Sequence, residues 1–404
     1  MLKLRRAIVR ETRLPDGDEP QGAVSAGGER RLDRAAEQHL AIELLDGERS
    51  PRRAAIADVS MVGLAQVGDE VIVNVQALDL GLGSGGFDVV HVNLTRGLHG
   101  DGAAGARVMK LNYTSLQHAV SPVEDDSLEL PLERPVGVLA LHGQLAAVAW
   151  AFAQAAPALT LGYVQTEGGA LPGGHSRTVR ALRRRGLLAG HLTAGAAFGG
   201  EQEAITTAGA LHHGLRTLGW DAAICGPGPG MLGSQSALGH GGMAALDSAH
   251  VSLALGCRTL LVARMSLADE RARHRGISHH TLTVLDLLLE PVTVALPAGV
   301  RSPVGADLRA GLGAVFAGAR PRGAELELDV ARPVRITRHD WRRSPIDLPG
   351  FVASGLPART MGRSATEDPL FFAAALAGGA ALAQLTSPAQ VGSAGAQDRL
   401  RELG

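Results

Sequence analysis

The chain has 404 residues, 45% of them apolar, and a formal net charge of −1, which is long for one core and fits two or three domains. Charge balance excludes a global field toward nucleic acid or acidic membrane, and 3% aromatic residues supply few surfaces for stacking bases. Cys225 and Cys257 are the only cysteines, too few for a disulfide framework, and both fall at edges of expected strands as core residues. No signal peptide is read, and the apolar run at 371–385 is too short to span a bilayer. The expectation is a cytoplasmic protein without nucleic-acid or membrane partners.

Residues 4–12 alternate like a strand, and 14–37, rich in Gly, Pro and charge, reads as a flexible surface loop. Short alternating runs follow at 40–45, 54–59, 70–77 and 87–92, spaced like a small antiparallel sheet or barrel, so 1–120 is read as a β-rich domain. The glycine-dense segment 81–86 joins strand to strand and reads as a hairpin or bulge, with a phosphate cradle as the alternative. Three prolines and five acidic residues between 121 and 135 mark a linker.

Beyond the linker the pattern alternates. Apolar runs at 136–141, 159–165, 190–193, 221–225, 258–263 and 292–296 read as buried strands. Helical stretches at 144–155, 177–185, 203–218, 237–255 and 279–289 separate most of them. Strand and helix in turn predict an α/β domain over 136–320: a mostly parallel, doubly wound, Rossmann-like sheet with helices on both faces. A helix over 304–317, strands near Leu326 and Val334, and a last helix capped by Asp368 and starting at Pro369 complete a C-terminal part, 321–404, packed on that sheet.

Ligands of open α/β sheets bind beyond the carboxyl ends of the strands, so the segments just after each strand are the candidates. The stretch 225–242 reads C-G-P-G-P-G-M-L-G-S-Q-S-A-L-G-H-G-G. Gly228, Gly230 and Gly233 stand there in G-x-G-x-x-G spacing, with Ser234 next. A helix expected to start near Gln235 would aim its free N–H groups at an anion held by this turn; a plain chain reversal is the alternative. Gly168, Gly169 and Ser176 form a second strand-to-helix turn of the same two readings. Glu167 and Glu201 each follow a strand and are candidates for a general base or a metal ligand. His142 follows the first strand, and Arg177, Arg180 and Arg184 line a helix face read as solvated.

The densest chemistry is 271–280, R-A-R-H-R-G-I-S-H-H. Ser278 is typed as the N-cap of the next helix. His279 and His280 then occupy its first turn, where the helix dipole disfavours imidazolium, and Arg264 and Arg275 are partners for a carboxylate or phosphate. His274 and His279 are candidate proton carriers, with a solvated, capped helix start as the equal alternative for the whole segment. If a metal binds, His279 or His280 is the ligand, but adjacent helical residues diverge by about 100 degrees, which argues against both holding one ion.

The strings T-E-G-G-A-L-P (166–172), A-F-G-G (197–200), R-H-R-G-I-S-H-H (273–280), T-M-G-R (360–363) and A-L-D-L-G-L-G-S-G-G (77–86) resemble the uncharacterised bacterial proteins grouped as domain-of-unknown-function family 3866, over nearly the whole chain. The resemblance implies an intact fold and supplies no reaction or cofactor. The functional expectation is an enzyme binding a small anionic, phosphate- or carboxylate-bearing metabolite at the rim, with His/Arg acid–base chemistry and scope to form oligomers. A non-catalytic binding or regulatory module and an NADP-type dinucleotide enzyme are the alternatives.

Overall fold

The computed structural model describes residues 1–13, 37–45, 52–298 and 335–386, apart from 83–84, 99, 101, 103, 235 and 337. The helix at 304–317, the strands near Leu326 and Val334 and all of the expected loop at 14–37 except Glu37 lie outside the described residues.

Strands β1 (Leu4–Arg13), β2 (Glu37–Leu44), β3 (Arg52–Asp58), β4 (Glu70–Asn74) and β5 (Asp88–Asn93) match the five expected runs. They close into a barrel in the order β1-β2-β3-β5-β4. Closure follows from β1 pairing with β2 on one edge and β4 on the other, and a bulge between Val9 and Glu11 interrupts the β1–β2 ladder. Ala7, Val9, Leu40, Ile42, Val71, Val73 and Val90 fill the interior. Outward positions carry cross-strand ion pairs, Arg6–Glu70 and Arg10–Glu43, both at 2.6 Å. Two helical turns, α1 (Val59–Val62) and α2 (Gln76–Asp79), lie in the β3–β4 and β4–β5 connections.

A hairpin of β6 (Val108–Lys110) and β7 (His118–Val120) was not anticipated. Its anchor is Lys110, buried, whose ammonium donates to Ala197 O, Thr193 O and Glu203 Oε2 at 2.5, 3.2 and 2.7 Å. The linker that follows is extended but fastened: Glu124 accepts from the backbone N–H groups of Ile205 and Thr206 at 2.8 and 3.0 Å.

The main sheet has eight strands, all paired in parallel: β8 (Pro135–Leu139), β9 (Leu161–Thr166), β10 (Gly190–Thr193), β11 (Gln202–Glu203), β12 (Ala222–Pro227), β13 (Arg258–Val262), β16 (Thr293–Pro297) and β17 (Asp340–Ser344). A two-residue ladder, β14 (Met265–Ser266) with β15 (Gly276–Ile277), stands beside it. The order in the sheet is β11-β10-β9-β12-β8-β13-β16-β17. Successive side chains of a strand point to opposite faces, and here they enter two separate cores. Val136, Val138, Cys225 and Leu261 join one with residues of α5 (Thr207–His212), α6 (Ala244–Ala254) and α7 (His279–Leu287). Leu139, Ile224 and Leu260 join the other with α3 (Leu145–Ala155), α4 (Arg177–Arg184), α8 (Leu348–Ala353) and α9 (Pro369–Thr386). Helices therefore cover both faces of a parallel sheet.

Departures from the expectation have local causes. The 203–218 helix is α5 followed by a π-helical turn, His213–Thr217. The helix expected near Gln235 begins only at Ala244. Before it, Gly233 pairs with His240 across a small hairpin, and Gly239, Gly241 and Gly242 are poor helix formers. Strand β17 reads D-W-R-R-S, an edge strand with no apolar run to announce it. The α4 face is not wholly solvated, because Arg180 and Arg177 pair with Glu37 of the barrel at 3.0 and 3.4 Å and fasten the two parts together. Helix α9 is apolar and long enough to cross a membrane by length and composition, but 14 of its 18 residues are buried in the protein. The carboxylate of Asp368, just before it, accepts from the Ser266 hydroxyl at 2.6 Å and Arg363 Nε at 3.2 Å.

Candidate functional site

Two polar clusters lie at the carboxyl ends of the central strands. The richer one gathers His240, from the hairpin after β12, with His274, His279 and His280, from the loop and helix start after β13. The ring centroids of His240 and His280 stack at 3.4 Å, and those of His274–His279 and His279–His280 are 4.8 and 4.4 Å apart. The adjacent pair was expected to diverge; instead both turn toward His240, and one ligand nitrogen from each of the three lies within 4.8 Å of the others.

Partners that can only donate, or only accept, fix where the ring protons sit. Arg264 Nη1 donates to His280 Nδ1 at 3.0 Å, so the proton of neutral His280 is on Nε2. Arg273 Nε donates to His274 Nε2 at 3.4 Å, so His274 Nδ1–H donates to Ser278 Oγ at 2.8 Å. His240 Nε2–H donates to Ala237 O at 2.9 Å, which leaves Nδ1 a lone pair. That Nδ1, His279 Nε2 and Arg264 Nε are buried without a hydrogen-bond partner. Ser278 caps α7 as expected, accepting from His280 N.

Burial, reinforced by the neighbouring arginines, pushes His274 down to about 3 and His279 to about 4. His240 and His280 are lowered too, both by burial first; Arg264 adds to it in His240, and His240 and then Arg264 add to it in His280. All four rings are thus neutral at pH 7. Arg264 is drawn down by burial to about 10 and stays charged. Asp269 is buried, which alone would raise its carboxyl, but hydrogen bonds from Arg271 hold it well below the usual range. It also accepts from Arg264 and Arg363 at 3.3 and 3.4 Å. Arg264, Arg271, Arg273 and Arg363 thus outnumber the buried carboxylates Asp269 and Asp368 around the histidines. Arg264 Nη2 further meets Met361 Sδ at 3.4 Å. Met361 sits at φ 48°, beside Gly362 at φ 80°, at the tip of a hairpin formed by β18 (Arg359–Thr360) and β19 (Arg363–Ser364).

The second cluster holds His142, Tyr163, His191 and Ser176. His142 Nδ1–H donates to Pro227 O at 3.2 Å, so the Ser176 hydroxyl donates to Nε2 at 2.8 Å. Ser176 has the connectivity of an activated nucleophile, but it is 1% exposed and also accepts from Val179 N as the cap of α4. Burial lowers His142 to about 4 and His191 to about 3.

The remaining candidates fall elsewhere. Arg275 is exposed and its Nε donates to the Asp269 carbonyl at 2.9 Å. Glu167 is exposed, outside both clusters, and Glu201 pairs with Arg183 at 2.5 Å. The glycines serve contact between loops: a Cβ on Gly169 would overlap Gly228 O, one on Gly228 would overlap Ala170 O, and Gly168 and Gly241 exclude a Cβ on each other. Gly230, Gly233 and Ser234 are exposed, and Ser234 Oγ bonds Ser236 Oγ at 2.9 Å. Among the described residues no helix starts at this turn, contrary to expectation. His240, Asp269, Asp368, Arg363 and Met361 were missed as site residues. His240 had a local signal as a histidine flanked by glycines in a loop already singled out, and Met361 and Arg363 stood in the T-M-G-R string without a role attached.

The sequence model of the family described as "Protein of unknown function (DUF3866)" matches residues 54–379. The chain belongs to that family. The match runs from the third barrel strand into α9 and so includes both clusters. No curated protein and no solved structure matches the chain.

Proposed function

We propose that this member of the family is an enzyme acting on a small phosphate- or carboxylate-bearing metabolite, bound where His240, Arg264, His274, His279 and His280 converge. One observation carries the reading: neutral histidines are packed among guanidinium groups, with Arg264 Nε, His240 Nδ1 and His279 Nε2 buried and unpartnered. Arginine donors suit an anion. His240 Nδ1 is a fixed lone pair that can take a proton from a hydroxyl when no cation occupies it, and neutral His280 presents an Nε2–H that can return one. Ser278 positions His274, and Asp269 holds Arg264.

The doubly wound, Rossmann-like description belongs to the same reading. The chain leaves β8 toward β9 and β10, and leaves β13 toward β16, so the order reverses beside β8, where such sheets bind ligands. The dinucleotide alternative loses its motif, because the glycine turn leads into a hairpin and the next helix starts at Ala244.

Thermal unfolding against sugar phosphates, inorganic phosphate, carboxylates and dinucleotides tests the proposal. A ligand at 100 times its dissociation constant adds about 2.7 kcal/mol, a shift of a few degrees for a domain of this size. Stabilisation by phosphates or carboxylates is expected; a midpoint unmoved by every anion refutes the reading and favours a protein-binding module.

A further inference from the structure

The histidine cluster contains more than an anion needs. His240 Nδ1 and His279 Nε2 are both buried without a partner, and two neighbouring nitrogens of this kind call for an electrophile. His240 is held as metal-binding histidines are held, by a hydrogen bond from its other nitrogen to a backbone carbonyl, here Ala237 O at 2.9 Å. We propose that His240 Nδ1, His279 Nε2 and His280 form a site for a divalent transition-metal ion, completed when an anion binds beside it. Imidazole ligands select zinc, cobalt, nickel or iron over magnesium and calcium. Two nitrogens on one tetrahedral zinc stand about 3.4 Å apart, so drawing nitrogens that spread over 4.8 Å onto one ion asks for side-chain shifts of roughly 1 Å.

Arg264 sets the order of events. Its Nη1–H occupies His280 Nδ1 at 3.0 Å, so His280 is not free to ligate while that bond stands. A bound anion competes for the same N–H and releases the ring. The surrounding guanidinium groups oppose a bare dication, and the anion offsets them. Metal and anion therefore favour each other, and by linkage each raises the affinity of the other by the same factor, on the order of 5- to 150-fold for couplings of ordinary size. The coupling rests on the anion reading; the metal site does not.

The test is a Co²⁺ titration of the chelator-treated full-length protein, followed by visible ligand-field absorption, with and without inorganic phosphate. One Co²⁺ per chain is expected, bound at least 5-fold more tightly with phosphate. His240→Ala and His279→Ala should each weaken binding tenfold or more while keeping the circular dichroism spectrum, and His91→Ala in the barrel should bind normally. Absence of a stoichiometric site under both conditions, or unchanged binding in the folded His240→Ala and His279→Ala proteins, overturns the proposal. Phosphate titration of the metal-free protein separates the two claims. Phosphate bound without any Co²⁺ site sinks the metal site alone, whereas a Co²⁺ site indifferent to phosphate sinks the coupling and counts against the anion reading.

Discussion

Acidification should destabilise the protein through His142 before most carboxylates titrate. The ring is buried, with Nδ1–H on Pro227 O and Nε2 accepting from Ser176, and burial lowers it from 6.5 to about 4. Because the folded value is depressed, the unfolded chain binds the proton first; the contribution is intact above pH 6.5 and is lost as pH falls toward 4. At 1.36 kcal/mol per unit, the loss between pH 8 and pH 5 is about 2 kcal/mol, approaching roughly 3 kcal/mol below pH 4. His142→Gln keeps a hydrogen-bonding side chain of similar reach that does not titrate. Urea unfolding of both proteins at pH 8, 7, 6 and 5 isolates the term, since His191 and the carboxylates are common to both. Wild type should lose about 2 kcal/mol more than the variant over that range. Parallel stability curves would refute the assignment of a neutral, buried His142.

Gly241→Ala should cost roughly 1–3 kcal/mol, seen as a midpoint lower by a few degrees in thermal unfolding, because the new methyl overlaps Gly168 O. Lys110→Arg, conservative elsewhere in this arginine-rich chain, should destabilise by about 1–3 kcal/mol in urea. A planar guanidinium cannot match three acceptors arranged around one ammonium. Ser278→Ala removes both the cap of α7 and the acceptor of His274 Nδ1–H. The two losses together predict about 2–4 kcal/mol in urea unfolding, and Ser278→Thr, which keeps the oxygen, should recover most of it.

Strands of the barrel and six of the eight in the main sheet were legible because each is a short apolar or alternating run bounded by turn residues, and the alternation of strand and helix pointed to the parallel architecture; β11, only two residues long, and β17 were not. Much of the candidate site was legible too, since 271–280 supplies three of its histidines, their cap and two arginines within one short segment. What remained hidden depends on distance along the chain. Asp269 meets Arg363 across 94 residues and Ser266 meets Asp368 across 102, and no local pattern marks such pairs. His240 faces His280 only because Gly233 and His240 pair in a hairpin, where periodicity suggested an early helix. The docking of Glu37 on Arg180 turned an apparently solvated face into an internal contact. Strand β17 was hidden by its own charge.

The central claim is that the Arg264–histidine cluster binds a small anion, and calorimetric titration of chelator-treated protein with inorganic phosphate tests it most directly. Saturable binding at one site per chain, weakened tenfold or more in folded His279→Ala, is the predicted result. A flat titration in the wild type, or equal binding in wild type and variant, would contradict it.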